Sequence, residues 1–233
     1  MDISPDSIVY WQWGPITLNA TIVFTWVIML ILIGISWMVT RNLSEDASLS
    51  RWQNFLEAVV STIKGQIKDV VHSGAEEYLP FIGTLFLFIS LSNFLIFVPG
   101  YHPPTGSIYT AGGLAICVFF AVPVYGIAKR GIWGYLKHYI SPSPFMLPFN
   151  IIGEFSRTLS LAIRLFGNIM SGSLIVAILL SIVPLFVPVV MEILGLLIGQ
   201  IQAYIFAVLA MVYIASATRS HEKQEAKTNN SDK

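Results

Sequence analysis

Five apolar runs long enough to cross a bilayer dominate this sequence. A helix needs about 20 mostly apolar residues to cross the hydrocarbon core. Three such runs cover residues 18–40, 80–98 and 110–128, and two longer ones cover residues 147–182 and 185–217. Only 11% of the residues are charged, against about a quarter in soluble domains. The sequence therefore predicts an all-α integral membrane protein with five transmembrane helices.

The positions of lysine and arginine predict how these helices are oriented. Cytoplasmic loops are enriched in both residues. Eleven of the thirteen lie in residues 41–79, 129–146 and 218–233, whereas residues 1–17 and 99–109 contain none. We therefore expect the N-terminus outside and the C-terminus in the cytoplasm. Residues 1–17 also lack the basic start of a cleavable signal peptide, so we interpret them as an external N-terminal segment.

Two polar regions lie on the predicted cytoplasmic side. In residues 41–79, apolar side chains recur at helical spacing from Trp52 to Val71, with charged side chains between them. This pattern predicts an amphipathic helix at the membrane interface; the alternative is a helix in the core of a small soluble subdomain. We favour the interface because the chain has no other soluble region for packing. Residues 218–233 are polar and predict a disordered tail.

The last two apolar runs are longer than a bilayer requires. About 35 residues of helix extend roughly 50 Å, whereas the hydrocarbon core is about 30 Å thick. Such helices must tilt strongly, bend, or begin along the interface. Residues 147–217 therefore predict a strongly oblique helical hairpin, which suits a wall laid along another membrane structure.

Polar side chains occur within these two runs, where they are costly and by default mark an ion path or a buried pair. Helical spacing places five of them on one stripe of the fourth span. The stripe consists of Arg157, Ser160, Arg164, Asn168 and Ser171. In the fifth span, Gly195, Gly199 and Ala203 repeat every four positions, which predicts close approach of another helix.

Most of these polar residues fit a structural role as well as a functional one. Glu154 and Arg157 are three residues apart and are placed to pair with each other, unless Arg157 extends to the interface. Glu192 closely follows the loop, so a solvated position and a channel role fit equally well. Gln200 and Gln202 fit hydrogen bonds between helices as well as an ion path.

Arg164 is the hardest of them to explain by structure alone. It lies in the middle of the fourth span, and the sequence places no acid of this chain as its partner. A guanidinium stays charged in proteins. The sequence therefore predicts that a carboxylate from another chain meets Arg164.

Several blocks in these spans resemble one known family. The signature of subunit a of F-type ATP synthases is similar to residues 160–172, which read S-L-A-I-R-L-F-G-N-I-M-S-G. The family's last span resembles I-Q-A-Y-I-F at residues 201–206, and its second span resembles E-E-Y-L-P-F-I-G-T-L-F at residues 76–86. The following loop resembles P-P-T at residues 103–105, and the similarity runs in order from about residue 50 to 217.

The resemblance implies a stator subunit that stands beside a rotating ring of c subunits, each with a carboxylate in the membrane. Two aqueous half-channels would reach the ring from opposite sides. Arg164 matches the family's essential arginine between them, which favours the ionised carboxylate and blocks leakage. Asn168 and Gln202 match polar positions that flank the arginine, and Ser160 matches a small polar one.

The resemblance also implies the partners and the setting. The chain would be a non-catalytic subunit of an ion-transporting ATP synthase in a bacterial plasma membrane, with H⁺ or Na⁺ as the coupling ion. Its partners would be the c-ring, the b subunits of the peripheral stalk, the remainder of the synthase and the lipid bilayer. No cofactor, metal or nucleic acid is expected.

The sequence departs from the family at two positions of the ion path. Bacterial relatives carry Glu nine residues after the arginine and His in the facing span, where this chain has Ser173 and Gly195. Glu154 or Glu192 is then a candidate replacement acid, or hydroxyls and water line the path. This departure keeps Na⁺ open as an alternative to H⁺.

Two other functions remain as alternatives. A stand-alone transporter or channel would use Arg164 to bind an anionic substrate, but the sequence shows none of the internal repeats of such proteins. An intramembrane enzyme would need a nucleophile with a base, or a metal cluster. The histidines lie outside the spans and are expected at the surface: His72, His102, His138 and His221. Cys117, in an apolar run, is expected to be a small buried side chain.

Overall fold

The computed structural model describes residues 6, 9–13, 16–40, 51–71, 74–98, 100–140, 145–182 and 187–218. As expected, five helices in these ranges are long and apolar enough to span a membrane. These are α1 (Ala20–Thr40), α3 (Ala75–Phe94), α4 (Ile108–Ile140), α5 (Met146–Ile182) and α6 (Val187–Thr218). A sixth helix, α2 (Arg51–Val70), lies between α1 and α3.

A two-stranded antiparallel sheet precedes the first membrane helix, and the sequence analysis did not predict it. Strand β1 (Val9–Trp13) pairs with β2 (Ile16–Asn19), with Trp11 opposite Leu18. Aromatic and β-branched residues favour strands, and β1 reads V-Y-W-Q-W. The Asp6 carboxylate accepts hydrogen bonds from the Thr21 and Ser107 hydroxyls. Asp6 thereby connects the chain before the sheet to α1 and to the loop before α4.

Helix α2 packs its apolar side against the chain's own membrane helices. Ile67 and Val71 are buried, and apolar side chains of α2, α3 and α6 line a cavity of about 290 Å³ between them. The Tyr204 hydroxyl of α6 donates to Gln66 Oε1 over 2.7 Å. Lys64 forms an ion pair with Glu76 at the start of α3. These contacts hold the amphipathic helix beside α3 and α6.

Helix α4 contains a sharp break near its predicted membrane boundary. Gly131 has φ 71° and ψ 164°, a backbone conformation that is essentially confined to glycine. The span itself covers Ile108–Lys129. Lys129 pairs with Glu77 of α3 over 2.7 Å, so an ion pair joins α3 to α4 just before the break.

Most of the buried core lies among α3, α4, α5 and α6, and Ile28 of α1 and Ile67 of α2 join it. Its largest side chains come from all four helices and include Tyr78, Val118, Leu161, Leu165 and Phe206. Outside this core, large apolar side chains such as Leu30 and Phe155 are exposed. Exposed apolar faces of this extent suit lipid contact. The expectation that Cys117 is buried is wrong: its side chain is exposed, because α4 turns this position away from the core.

Two sequence predictions fall outside the described residues. The polar tail is described only at Thr218, and residues 219–233 lie outside. His72 and His221 also lie outside, as does the side chain of His138.

Candidate functional site

Helix α5 separates a buried apolar face from an exposed polar stripe. Leu161 and Leu165 are buried in the core, whereas Arg157, Ser160 and Arg164 are exposed. At about 100° per residue, the stripe and the buried leucines occupy adjoining sectors of α5, so the stripe lies along the edge of the buried face. The stripe is therefore available to a neighbouring molecule.

Arg164 has no carboxylate partner in the described part of the chain. The Lys64–Glu76 and Lys129–Glu77 ion pairs do not involve it. Its side chain is exposed in the middle of a membrane-spanning helix. A permanent charge at this depth is costly unless a counter-charge or water reaches it.

Asn168 and Gln202 form a polar contact one helical turn beyond Arg164. The Asn168 side-chain amide donates to Gln202 Oε1 over 2.8 Å. Gln202 is only 2% exposed, and its Nε2 is buried with no hydrogen-bond partner among the described residues. The contact joins α5 to α6.

A cavity of about 650 Å³ leads away from this contact, and we call it the loop-side cavity. Its walls are α5, the first part of α6, and the loop of residues 98–107 that joins α3 to α4. Gly195 lines it, together with the polar residues Tyr101, His102, Asn168, Ser171, Ser173 and Glu192. Ser173 and Gly195 thus border one space, with Glu192 beside them.

Hydrogen bonds fix the loop of residues 98–107 in place. The Tyr101 hydroxyl donates to the Ser92 carbonyl, and the Thr105 hydroxyl donates to Asn93 Oδ1, each over 2.9 Å. Burial raises the pKa of Tyr101, so its phenol remains a donor. The Asn93 amide then donates to the Gly199 carbonyl over 2.9 Å. The loop is therefore held on α3, which is itself bonded to α6.

The small-residue row of α6 serves two purposes. A Cβ at Gly199 would lie 3.1 Å from the Asn93 side chain, which agrees with the predicted close approach of a helix. Gly195 has open space around it because it lines the loop-side cavity. Gln200 exchanges two hydrogen bonds with Ser90 of α3, so it joins helices.

A second polar cluster lies toward the other end of α5. Glu154, Arg157, Tyr213 and Ser216 line a small cavity between α4, α5 and α6. The Arg157 guanidinium lies 5.7 Å from the centre of the Tyr213 ring, within the range of a cation–π contact. Glu154 is half-buried. The structure thus places Glu154 and Arg157 apart from the loop-side cavity, with Arg164 between the two sites along α5.

Comparison with known proteins identifies the family. The family model described as "ATP synthase A chain" matches residues 22–215. The chain belongs to the ATP synthase A chain family. It is 61% identical over 224 residues to "ATP synthase subunit a 1" of Crocosphaera subtropica, covering 96% of this chain and 97% of that protein. It is 59% identical over 219 residues to "ATP synthase subunit a 2" of Acaryochloris marina, covering 94% of each.

A third relative agrees with this assignment. "ATP synthase subunit a 1" of Chlorobaculum parvum is 56% identical over 223 residues, covering 96% of this chain and 99% of that protein. Membership of the family makes the chain a multi-pass membrane component of an ATP synthase. The resemblance found in the sequence is thereby confirmed.

Sequence reasoning found the stripe on α5 but missed several residues around it. Tyr101 and Tyr213 gave no local signal, because their roles depend on contacts between separate segments. His102 was expected at the surface, and this is wrong: it is half-buried and lines the loop-side cavity.

Proposed function

We propose that this chain is the ion-translocating stator subunit a of a rotary F-type ATP synthase. The observation that carries the proposal is the exposed guanidinium of Arg164 in the middle of α5, which has no carboxylate partner within the described ranges. An arginine at this depth costs about 2.5–3.5 kcal/mol even on a favourable scale. A carboxylate on a neighbouring chain, the c-ring, offsets that cost.

The charge of Arg164 has two effects in this proposal. It favours the ionised form of the ring carboxylate, so the carboxylate releases its ion as it reaches α5. It also repels cations, which prevents direct passage between the two half-channels. Each elementary charge that crosses is worth about 2.3 kcal/mol per 100 mV, which turns the ring while other subunits make ATP.

Polar groups on either side of Arg164 support two half-channels. The loop-side cavity supports the outer one, which ends at Asn168 and Gln202. The cluster of Glu154 and Arg157 supports the cytoplasmic one. At 1.5 Å per residue, Arg157 and Asn168 are separated by about 16 Å along α5. Arg164 then lies between the ends of both paths, with Ser160 on the same stripe.

The same proposal assigns the surroundings of the chain. The N-terminus lies outside, the C-terminus lies in the cytoplasm, and α5 and α6 run obliquely along the c-ring. The b subunits of the peripheral stalk and the remainder of the synthase complete the assembly. Its bacterial relatives support a plasma-membrane location. H⁺ is the proposed coupling ion, and Na⁺ is the alternative because Ser173 and Gly195 carry no proton-relay group.

Ion-driven ATP synthesis in membrane vesicles tests this function. Arg164→Ala should abolish synthesis while the complex still assembles. Ile163→Ala is the matched control, because Ile163 is the exposed neighbour of Arg164 and carries no charge; it should keep synthesis. Imposing either a proton or a sodium gradient on the unmutated complex identifies the coupling ion.

Two outcomes would reject the proposal. Synthesis retained in Arg164→Ala would make the arginine structural. Ion flux through the purified chain in the absence of any c subunit would instead favour a stand-alone channel or transporter.

A further inference from the structure

His102 is half-buried in the wall of the loop-side cavity and does not lie on the surface. Its ring lines the loop-side cavity, and its Nδ1 is buried with no hydrogen-bond partner among the described residues. The ring packs near Phe24 of α1, with centroids 6.5 Å apart. The flanking Tyr101 and Pro103 are fixed by a hydrogen bond and by burial. The loop therefore holds the imidazole in the cavity wall.

An unpartnered buried nitrogen in this position points to water. Buried polar atoms in native proteins are satisfied by the protein or by ordered water. The His102 ring also lines a cavity of about 650 Å³, far more than the roughly 10–15 Å³ of probe-occupied volume that one water needs. The cavity wall also carries hydroxyls and the Asn168 amide. A hydrated path from His102 to the neighbourhood of Arg164 is therefore consistent with its size and lining.

Few side chains in this cavity carry a group that can accept and release a proton. Ser173 and Gly195 cannot, and the Tyr101 phenol is engaged with Ser92. Among the described lining residues, this leaves His102 and Glu192, which lie on different segments of the chain. An imidazole can take up a proton at one nitrogen and release one from the other, which suits it to a shuttle.

We propose that His102 is a proton-relay residue of the loop-side cavity, acting together with Glu192. A proton from water or from the Glu192 carboxyl binds one ring nitrogen, and the other releases a proton to the water that leads to Asn168. No proton is gained or lost overall. This inference rests on the proposed function, and it adds a relay group supplied by a loop outside the last two helices.

Passive proton flux through the membrane sector, in vesicles stripped of the catalytic sector, tests the relay. His102→Phe keeps the ring and its contact with Phe24 but removes both nitrogens; flux should fall about tenfold or more, as for loss of a proton-transfer group. His102→Gln keeps a hydrogen-bonding side chain that cannot relay protons, so its proton flux should stay low. His102→Glu supplies a carboxyl group that can relay protons, so its flux should recover. Tyr109→Phe is the control, because Tyr109 is exposed and lies outside this cavity.

The outcomes separate this inference from the proposed function. Unchanged flux in His102→Phe, or full recovery in His102→Gln, would overturn the relay. The same holds if a sodium gradient, and not a proton gradient, drives the unmutated complex. Arg164→Ala, measured in vesicles that carry the whole complex, tests the proposed function: if it blocks ATP synthesis while His102→Phe shows normal proton flux, only the relay fails. Co-purification of the c subunit with each variant checks assembly.

Discussion

Removal of the Asn93 side chain should loosen the junction of α3, α6 and the loop of residues 98–107. Asn93 is 2% exposed. It accepts a hydrogen bond from Thr105 and donates one to the Gly199 carbonyl, both over 2.9 Å. Asn93→Ala deletes both bonds at once. The change lies outside the polar stripe of α5, so it tests how the cavity wall is held in place.

The expected loss of stability depends on whether the two former partners of Asn93 keep other hydrogen bonds. Side-chain hydrogen bonds within membrane proteins average about 0.6 kcal/mol and reach about 1.7 kcal/mol. The Gly199 carbonyl lies inside α6 and keeps its helical hydrogen bond. The Thr105 hydroxyl still has Ser92 Oγ at 3.5 Å. Neither partner is therefore left without a hydrogen bond, and we expect a loss of about 1–2 kcal/mol in the free energy of unfolding.

Unfolding by SDS in mixed micelles, followed by circular dichroism, measures this cost. Thr105→Val removes one of the two bonds and should cost about half as much. The double variant should show a coupling free energy of about 0.6 kcal/mol between the two sites. If Asn93→Ala unfolds at the same SDS fraction as the unmutated chain, the two hydrogen bonds contribute nothing to stability and the reasoning is refuted.

Three further predictions use the same unfolding measurement. Gly199→Ala should destabilise the chain by about 1–3 kcal/mol through overpacking against α3. The control Gly195→Ala, in open space, should change stability little. Equal losses of stability in the two variants would contradict the close contact of Gly199 with α3. Gly131→Ala should cost about 1–3 kcal/mol, because φ 71° and ψ 164° strain a side chain, and the control Gly112→Ala, also in open space, should not. Burial raises the pKa of Tyr101, so stability should be complete below about pH 10 and fall as pH rises above that unfolded-state value. Tyr101→Phe should flatten this alkaline slope, and an unchanged slope would exclude Tyr101 as its source.

The membrane helices and the stripe on α5 could be predicted because both depend on local properties. A bilayer requires about 20 apolar residues in a row, and this signal is visible in any window of the sequence. The positions of Arg157, Ser160 and Arg164 on one side of α5 follow from the helical repeat alone. The family signature around Arg164 is equally local, and the comparisons confirm it.

The cavity wall could not be predicted in the same way. Asn168 and Gln202 are 34 residues apart, and Ser90 and Gln200 are 110 apart. Which of these polar residues meet depends on how α3, α5 and α6 pack, and hydropathy does not specify a pairing. The N-terminal sheet was missed for a related reason, since each strand depends on pairing with another segment of the chain.

The sequence by itself determined that the chain spans a membrane, which side chains share a helix face, and that an arginine lies in mid-span without a local partner. The tertiary structure alone decided that His102, Glu192 and Ser173 border one cavity, and that Glu154 and Arg157 belong to another. Helical periodicity is a property of neighbouring residues, whereas a cavity forms where separate segments fail to fill the space between them. That space depends on the packing of all the helices together.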